Sequence, residues 1–147
     1  YSTTCDLSAP YVATINKLNL GGIAVAFPTG NDFKYVSIDN PACVPGVIAV
    51  SSIDDKARLA LYANYSSRVD FAAPGNLTVA VPNNQYVQDY GTSLSVGYFG
   101  AGWLKIANAK NLSIANEYNL IKTTASPYTN IMVKQNVLAI NIAKAIQ

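Results

Sequence analysis

Apolar runs that are typical of strands alternate along this chain with segments of helical spacing. Ile23–Phe27 and Val47–Val50 are apolar without alternation, as expected of parallel strands buried on both faces. Turn-forming residues bound both runs: Pro28–Asp32 follows the first, and Pro45-Gly46 precedes the second. This order predicts an α/β fold with a mainly parallel sheet flanked by helices.

Helix signals are strongest at two places. Ser8 precedes a modest apolar stripe that extends to about Asn19, and we expect Ser8 to cap this helix and Gly21 to end it in a left-handed turn. The longest apolar helical pattern opens at Gly91-Thr92-Ser93. The remaining predicted helices are Ser113–Thr123, with Ser113 as cap, and Ile142–Gln147. Strands are expected at Val69–Ala72 and Leu77–Val81, and a strand or an extended turn at Val137–Ile140. A loop is expected at Phe33–Asn40, and a loop over the surface at Arg58–Ser67.

Length and composition limit the classes of function. A chain of 147 residues fits one domain, and its 50% apolar content is enough for a core. Charged residues make up 12% and the net charge is +2, which excludes a disordered acidic tail and argues against a nucleic-acid binder. No apolar run approaches the length of a membrane span. Histidine is absent, so this chain alone completes neither a Ser-His or Cys-His hydrolase site nor a His-ligated metal site.

The cysteines and the glycosylation sequons leave alternatives open. Cys5 and Cys43 are too few for a metal cluster, and composition fits either one disulfide or two buried free thiols. Sequons begin at Asn64, Asn76 and Asn111, and in a chain rich in Asn, Ser and Thr they fit chance matches.

The segment Tyr90–Gly97 places a serine at the start of a buried helix. The backbone N–H of Ser93 is expected to be one of the orphan donors at that helix end, where the helix dipole also favours negative charge. Both properties suit a nucleophile whose attack creates an oxyanion. The alternative is that Thr92 or Ser93 serves only as a helix cap.

A second candidate, Asn31, follows the first predicted strand. In open parallel sheets the carboxyl ends of the strands form the edge at which ligands bind. An asparagine amide at this edge can donate a hydrogen bond to an oxyanion. The alternative is an ordinary turn asparagine, which is common because Asn tolerates positive φ.

Five segments occur in an order and at a spacing that a known family shares. They are Ala26–Asn31, Pro41-Ala42 with Val47–Val50, Asp70–Gly75, Gly91-Thr92-Ser93, and Leu138–Ala145. Together they resemble the catalytic domain of subtilisin-like serine proteases (peptidase family S8, the subtilases). The match runs from about Ser8 to Gln147, and it implies the carboxyl-terminal half of a three-layer domain with a mainly parallel sheet flanked by helices.

The resemblance implies a role for individual residues in peptide-bond hydrolysis through an acyl-enzyme. Ser93 is the expected nucleophile, Asn31 the expected oxyanion donor together with the Ser93 N–H, and Thr92 a supporting residue behind them. The pocket for the substrate side chain that precedes the scissile bond is expected to be lined by Ala26, Phe27, Pro28, Thr29 and Gly30, and by Ser2 and Thr3 at the start of the chain.

The resemblance also bears on the cysteines, the location and the metal content. Secreted bacterial members often pair cysteines at the places of Cys5 and Cys43, so a disulfide and a secreted, extracellular or periplasmic setting are expected. Members of the family often bind structural calcium, and the resemblance extends this expectation here, although no run of oxygen ligands marks a site.

Two departures from the family pattern affect these expectations. Leu94–Ala101 lacks the proline and histidine that usually follow the serine motif, and Pro28-Thr29 replaces small apolar residues before Gly30. The family's catalytic Asp and His precede the matched region. We therefore expect an amino-terminal companion chain that carries them, produced by a nick or expressed separately, so that this chain is inactive alone. The alternative function is a catalytically inactive subtilisin-like domain that serves as a binding or structural module.

Overall fold

A computed structural model describes residues 5–130 and 135–147 of the chain. In chain order its elements are α1 (Pro10–Leu20), β1 (Ala26–Pro28), β2 (Ile48–Ile53), β3 (Phe71–Pro74), β4 (Asn76–Val81), β5 (Gln85–Tyr90), α2 (Thr92–Lys110), α3 (Ile114–Thr124), β6 (Ser126–Asn130), β7 (Gln135–Ala139) and α4 (Ile142–Ala145).

The main sheet has five strands in the order β1-β2-β3-β7-β6. The pairs β1–β2, β2–β3 and β3–β7 are parallel, and only β6–β7 is antiparallel. The mainly parallel α/β fold is thereby confirmed. All six residues of β2 are buried, because strands flank it on both sides and side chains cover both faces. This burial accounts for the unbroken apolar run at Val47–Val50.

β1 differs from the expectation for Ile23–Phe27. The strand comprises only Ala26–Pro28, its residues are half-buried, and Ile23 is 51% exposed. The prediction of burial on both faces is therefore wrong for the described chain. The physical reason is that β1 forms the edge of the described sheet, with β2 as its one neighbour there.

The main core lies between the sheet and α2. Phe71 of β3 stacks on Phe99 of α2 with ring centroids 5.3 Å apart, and Ile106, further along the same face of α2, is fully buried. α3 joins this layer through a buried hydrogen bond of 2.6 Å from Trp103 Nε1 to Glu117 Oε2. The pair satisfies a carboxylate that would otherwise be costly to bury. Within the described residues, no helix is long and apolar enough to cross a membrane.

Two helix-end predictions are wrong. The N-cap of α1 is Ala9, and the Ser8 hydroxyl instead donates to Asp6 Oδ1 at 2.7 Å. Pro10 begins this helix, where its missing N–H costs nothing. Gly21 has a φ of −78°, and the left-handed residue is Gly22 at +75°. Ser113 does occupy the N-cap position of α3, but its side chain makes no capping bond.

Three other features depart from the pattern-based predictions. The loop at Arg58–Ser67 does not simply cover the surface, since Ala63 and Asn64 within it are fully buried. β5 was not predicted, although Asn83-Asn84, both at positive φ, is the turn signal of a hairpin with β4. β6 was not predicted either, because its sequence has few β-branched residues.

The disulfide expected from the family resemblance is present. Cys5 and Cys43 are bonded, with their Cα atoms 5.7 Å apart. The bond ties the segment before α1 to the loop that leads into β2, across a sequence separation of 38 residues. On the chain-entropy model a closed loop of this length stabilises the fold by roughly 4 kcal/mol.

Candidate active site

Ser93 lies in the first turn of α2 and is exposed to solvent. The N-cap is Gly91, with a φ of +155°, and no side chain caps the helix. The alternative in which Thr92 or Ser93 is only a cap is therefore wrong. No residue in the described part of the chain forms a hydrogen bond with the Ser93 hydroxyl, which leaves it available for chemistry.

Asn31 follows β1 at the carboxyl end of the sheet and contacts Thr92 across 61 positions of sequence. Its Oδ1 accepts the Thr92 backbone N–H at 2.9 Å and the Thr92 hydroxyl at 3.0 Å. A backbone N–H can only donate, so the atom facing it must be the amide oxygen. The Nδ2 group consequently points elsewhere, and no described residue accepts a hydrogen bond from it.

Thr92 links the two segments through its hydroxyl. This hydroxyl donates to Asn31 and also accepts the Gly30 N–H at 3.3 Å, while the side chain is fully buried. Every hydrogen-bonding group of Thr92 that faces this loop therefore has a partner. The start of α2 and the end of β1 are held together as one unit.

Two N–H donors converge beside Gly91. A side-chain carbon at Gly91 would lie 3.5 Å from Asn31 Nδ2 and 3.9 Å from the Ser93 backbone nitrogen. The absence of a side chain at Gly91 leaves this space open beside the backbone of Ser93. Two N–H donors held in this way can stabilise an oxyanion that forms within hydrogen-bond distance of both.

Gly30 has no room for a side chain. Its φ is +101°, which L residues rarely adopt, and a Cβ there would collide with the side chains of Asp39 and Asn64. The glycine allows these two side chains to pack directly against the backbone that leads into Asn31. Glycine is therefore required at position 30, directly before the Asn31 that the sequence analysis identified.

An ion-pair cluster holds the loop after Asn31. Lys34 Nζ lies 2.8 Å from Asp39 Oδ1 and 3.1 Å from Asp32 Oδ2. Hydrogen bonds to Asp39 and then to Asp32 raise the pKa of Lys34. The pKa of Asp32 is lowered, first by the hydrogen bond from Asn64 and then by the one from Lys34. Both groups therefore keep their charges across the neutral range.

Gly75 contacts the residue that precedes α2. Its carbonyl accepts the Gly91 N–H at 3.0 Å. Three hydroxyls pack around its Cα: a Cβ there would collide with Ser52 Oγ and would lie 2.6 Å from Ser95 Oγ and 2.7 Å from Tyr62 Oη. The Pro74-Gly75 pair thus permits a close approach between β3 and α2.

The other predicted site residues are placed as follows. Ala26, Phe27 and Pro28 are half-buried, and Thr29 is fully buried with no hydrogen-bond partner for its hydroxyl. Their role in a substrate pocket stays a prediction. Ser2 and Thr3 lie outside the described residues. Among residues 5–130 and 135–147, no three His, Cys, Asp or Glu side chains could hold a metal ion, so calcium also stays a prediction.

Sequence reasoning missed Asn64 as a structural centre of this site. It was noted only as a glycosylation sequon, yet it is fully buried and bonded to the loop at Gly30–Lys34. A glycan cannot attach there in the folded chain. No periodicity or motif marks such a residue, because its contacts come from the packing of two loops.

The family model of the subtilase family matches residues 2–139. This chain belongs to the subtilase family. Halolysin of Haloferax mediterranei is 34% identical over 125 residues, covering 83% of this chain and 24% of halolysin. The thermostable alkaline protease of Halalkalibacterium halodurans is 26% identical over 124 residues, covering 84% of this chain and 30% of that protein. The chain therefore spans about a quarter to a third of these subtilases.

Solved structures of subtilisin-like proteases share the fold. The prenylagaramide maturation protease PagA superposes with a TM-score of 0.82 at 22% identity, over 97% of this chain and 57% of that one. A protease from Pseudoalteromonas arctica also gives 0.82, at 23% identity, over 99% of this chain and 48% of that one. These likenesses establish the subtilase fold for nearly the whole chain.

Proposed function

We propose that this chain supplies the nucleophile and the oxyanion hole of a serine endopeptidase. The observation that carries the proposal is that Asn31 Nδ2 and the Ser93 backbone nitrogen border the same space beside Gly91, and that Ser93 itself is exposed. Subtilase membership supports the reaction type, since the curated relatives in the family are proteases. Peptides or proteins are the substrates.

In this mechanism Ser93 Oγ attacks the carbonyl carbon of a peptide bond and gives its proton to a base. The carbonyl oxygen takes up the negative charge, which Asn31 Nδ2 and the Ser93 N–H stabilise. Collapse of the tetrahedral intermediate breaks the C–N bond, and the amine leaves with the proton returned from the base. Water then attacks the acyl-enzyme and regenerates the free Ser93 hydroxyl.

The sequence contains no histidine, so a histidine base has to come from another part of the protease. We propose that a further part of the protease carries the family's Asp and His and packs against the edge of β1. A groove of about 630 Å³ lies beside this edge, lined by apolar groups that include Ile23, Trp103 and Leu104. Leu104 is 65% exposed in the described chain, and burial of such a face is favourable.

Secretion is part of the same proposal. The Cys5–Cys43 disulfide is expected to persist in an oxidising compartment. One relative is named the minor extracellular protease Epr of Bacillus subtilis, and it is 32% identical over 67% of this chain.

The test is active-site labelling combined with intact mass under native conditions. Protein purified from its source is treated with a fluorophosphonate probe and digested, and labelled peptides are identified by mass. We expect the label on Ser93, its loss in Ser93→Ala, and a native mass larger than that of this chain. An unlabelled Ser93 in an assembled protein would contradict the protease function and favour an inactive subtilisin-like module.

A further inference from the structure

Asn64 makes a concentrated set of contacts with the segment that carries Asn31. It lies in the loop between β2 and β3 and is 0% exposed. Its backbone N–H donates to the Gly30 carbonyl at 2.9 Å, and its Oδ1 accepts the Asp32 N–H at 2.9 Å. One residue thus holds both peptide units that flank the Cα of Asn31.

The other hydrogen bonds of the Asn64 side chain go to the same loop. Oδ1 also accepts the Lys34 N–H at 3.1 Å, and Nδ2 donates to Asp32 Oδ2 at 3.2 Å. The Asn64 carbonyl accepts the Ser51 hydroxyl at 3.0 Å, which anchors the residue to buried strand β2. Asn64 therefore links the loop around Asn31 to the buried strand β2.

We propose that Asn64 is a positioning residue for the oxyanion donor Asn31, an inference that rests on the proposed function. Fixing the peptide units on both sides of Asn31 fixes the direction of its Cα–Cβ bond. Thr92 then holds the far end of the side chain through Oδ1. The amide nitrogen has no other restraint among the described residues, so its aim depends on these two supports.

The residue type follows from the contacts. Two backbone N–H groups require an acceptor, and the Asp32 carboxylate requires a donor. An amide supplies both from one planar group. A carboxylate at position 64 would keep the acceptor but place a second negative charge against Asp32, and a smaller side chain would leave the two N–H groups without a partner.

The test is a donor–acceptor exchange in the assembled protease. Asn64→Asp is expected to lower kcat about 10- to 100-fold with KM nearly unchanged, because misplacing a catalytic group by about 1 Å costs up to about 100-fold. The double variant Asn64→Asp with Asp32→Asn restores a donor facing an acceptor. We expect it to recover kcat to within about threefold of the unmodified enzyme, since contacting pairs are non-additive.

A second set of variants tests whether Asn64 affects kcat through Asn31. In an Asn31→Ala background, adding Asn64→Asp is expected to lower kcat by less than about threefold, because the positioned group is gone. Tyr118→Phe removes the half-buried hydrogen bond from Tyr118 Oη to Asp70 Oδ1 and serves as a control for stability alone. It is expected to lower the melting temperature while kcat stays unchanged.

The outcomes separate the two proposals. If Asn31→Ala lowers kcat but Asn64→Asp matches the unmodified enzyme, or the exchange restores only the melting temperature, positioning by Asn64 is overturned and the proposed function stands. If Asn31→Ala leaves kcat unchanged, the oxyanion role itself fails. The double variant also guards against a single variant that does not fold.

Discussion

Removing the Thr92 hydroxyl tests how the start of α2 holds the Asn31 amide. Thr92→Val keeps the shape of the side chain but deletes the donor to Asn31 Oδ1 and the acceptor for the Gly30 N–H. The unpaired Gly30 N–H is expected to cost about 1–3 kcal/mol of the free energy of unfolding. Asn31 keeps one bond, from the Thr92 backbone at 2.9 Å.

Since that bond remains, the loss of activity should be smaller than the loss on removing Asn31. We expect kcat to fall about tenfold, which is less than the roughly 100- to 1000-fold loss that follows removal of the oxyanion asparagine of subtilisin. The assay measures kcat and KM on a peptide substrate with the assembled protease, alongside urea denaturation. Thr92→Ser is the matched control, because it keeps the hydroxyl and loses only a methyl group.

Two results would refute this reasoning. A Thr92→Val enzyme that is destabilised but retains full kcat would show that the hydroxyl supports the fold without affecting Asn31. A Thr92→Ser enzyme as slow as Thr92→Val would show that packing of the methyl group, rather than the hydrogen bonds, sets the rate.

Three further predictions concern stability. Gly75→Ala is expected to lower the free energy of unfolding by at least about 1–3 kcal/mol through overpacking. Gly97→Ala should raise it by up to about 1 kcal/mol, because Gly97 lies in a helix where a Cβ meets nothing within 4 Å. Urea denaturation midpoints compare the two variants, and equal midpoints would contradict the crowding at Gly75. Cys5→Ser with Cys43→Ser should lower the free energy of unfolding by up to roughly 4 kcal/mol, measured without reductant, and an unchanged midpoint would show that the closed loop does not matter. Burial, and then a hydrogen bond to a carboxylate, raise the pKa of Tyr118 to about 12. Its contribution to stability is therefore present below pH 10 and is lost as the pH rises from 10 to about 12. Tyr118→Phe should flatten the dependence of the free energy of unfolding on pH in this range, and an unchanged slope would contradict this role of Tyr118.

The parts of the fold that the sequence predicted are those with strong local signals. The buried run at Val47–Val50 and the helix opened by Gly91-Thr92-Ser93 were both found, because continuous burial and helical periodicity leave a pattern in one segment. The burial of Ile23–Phe27, which contains most of β1, was overestimated because burial also depends on neighbouring segments. An apolar run predicts burial, but no element of the described chain covers Ile23, which lies beside the edge strand β1.

The candidate site was predicted only as far as its motifs reach. Asn31 and Ser93 stood out through a turn at a strand end and a serine at a helix start. The supporting residues did not stand out, because Asn64 and Gly75 act through contacts with residues at least 13 positions away. Such contacts depend on tertiary packing, and no local period records them. The same limit applies to Ser8, whose hydroxyl donates to Asp6 Oδ1 instead of capping α1.

The central claim is that Asn31 and the Ser93 N–H stabilise an oxyanion next to the Ser93 nucleophile. The most direct measurement is kcat and KM of Asn31→Ala in the assembled protease on one peptide substrate. The account predicts that kcat falls about 100- to 1000-fold while KM changes little, because the lost hydrogen bond forms mainly in the transition state. A kcat within about threefold of the unmodified enzyme, or a loss expressed only in KM, would contradict it.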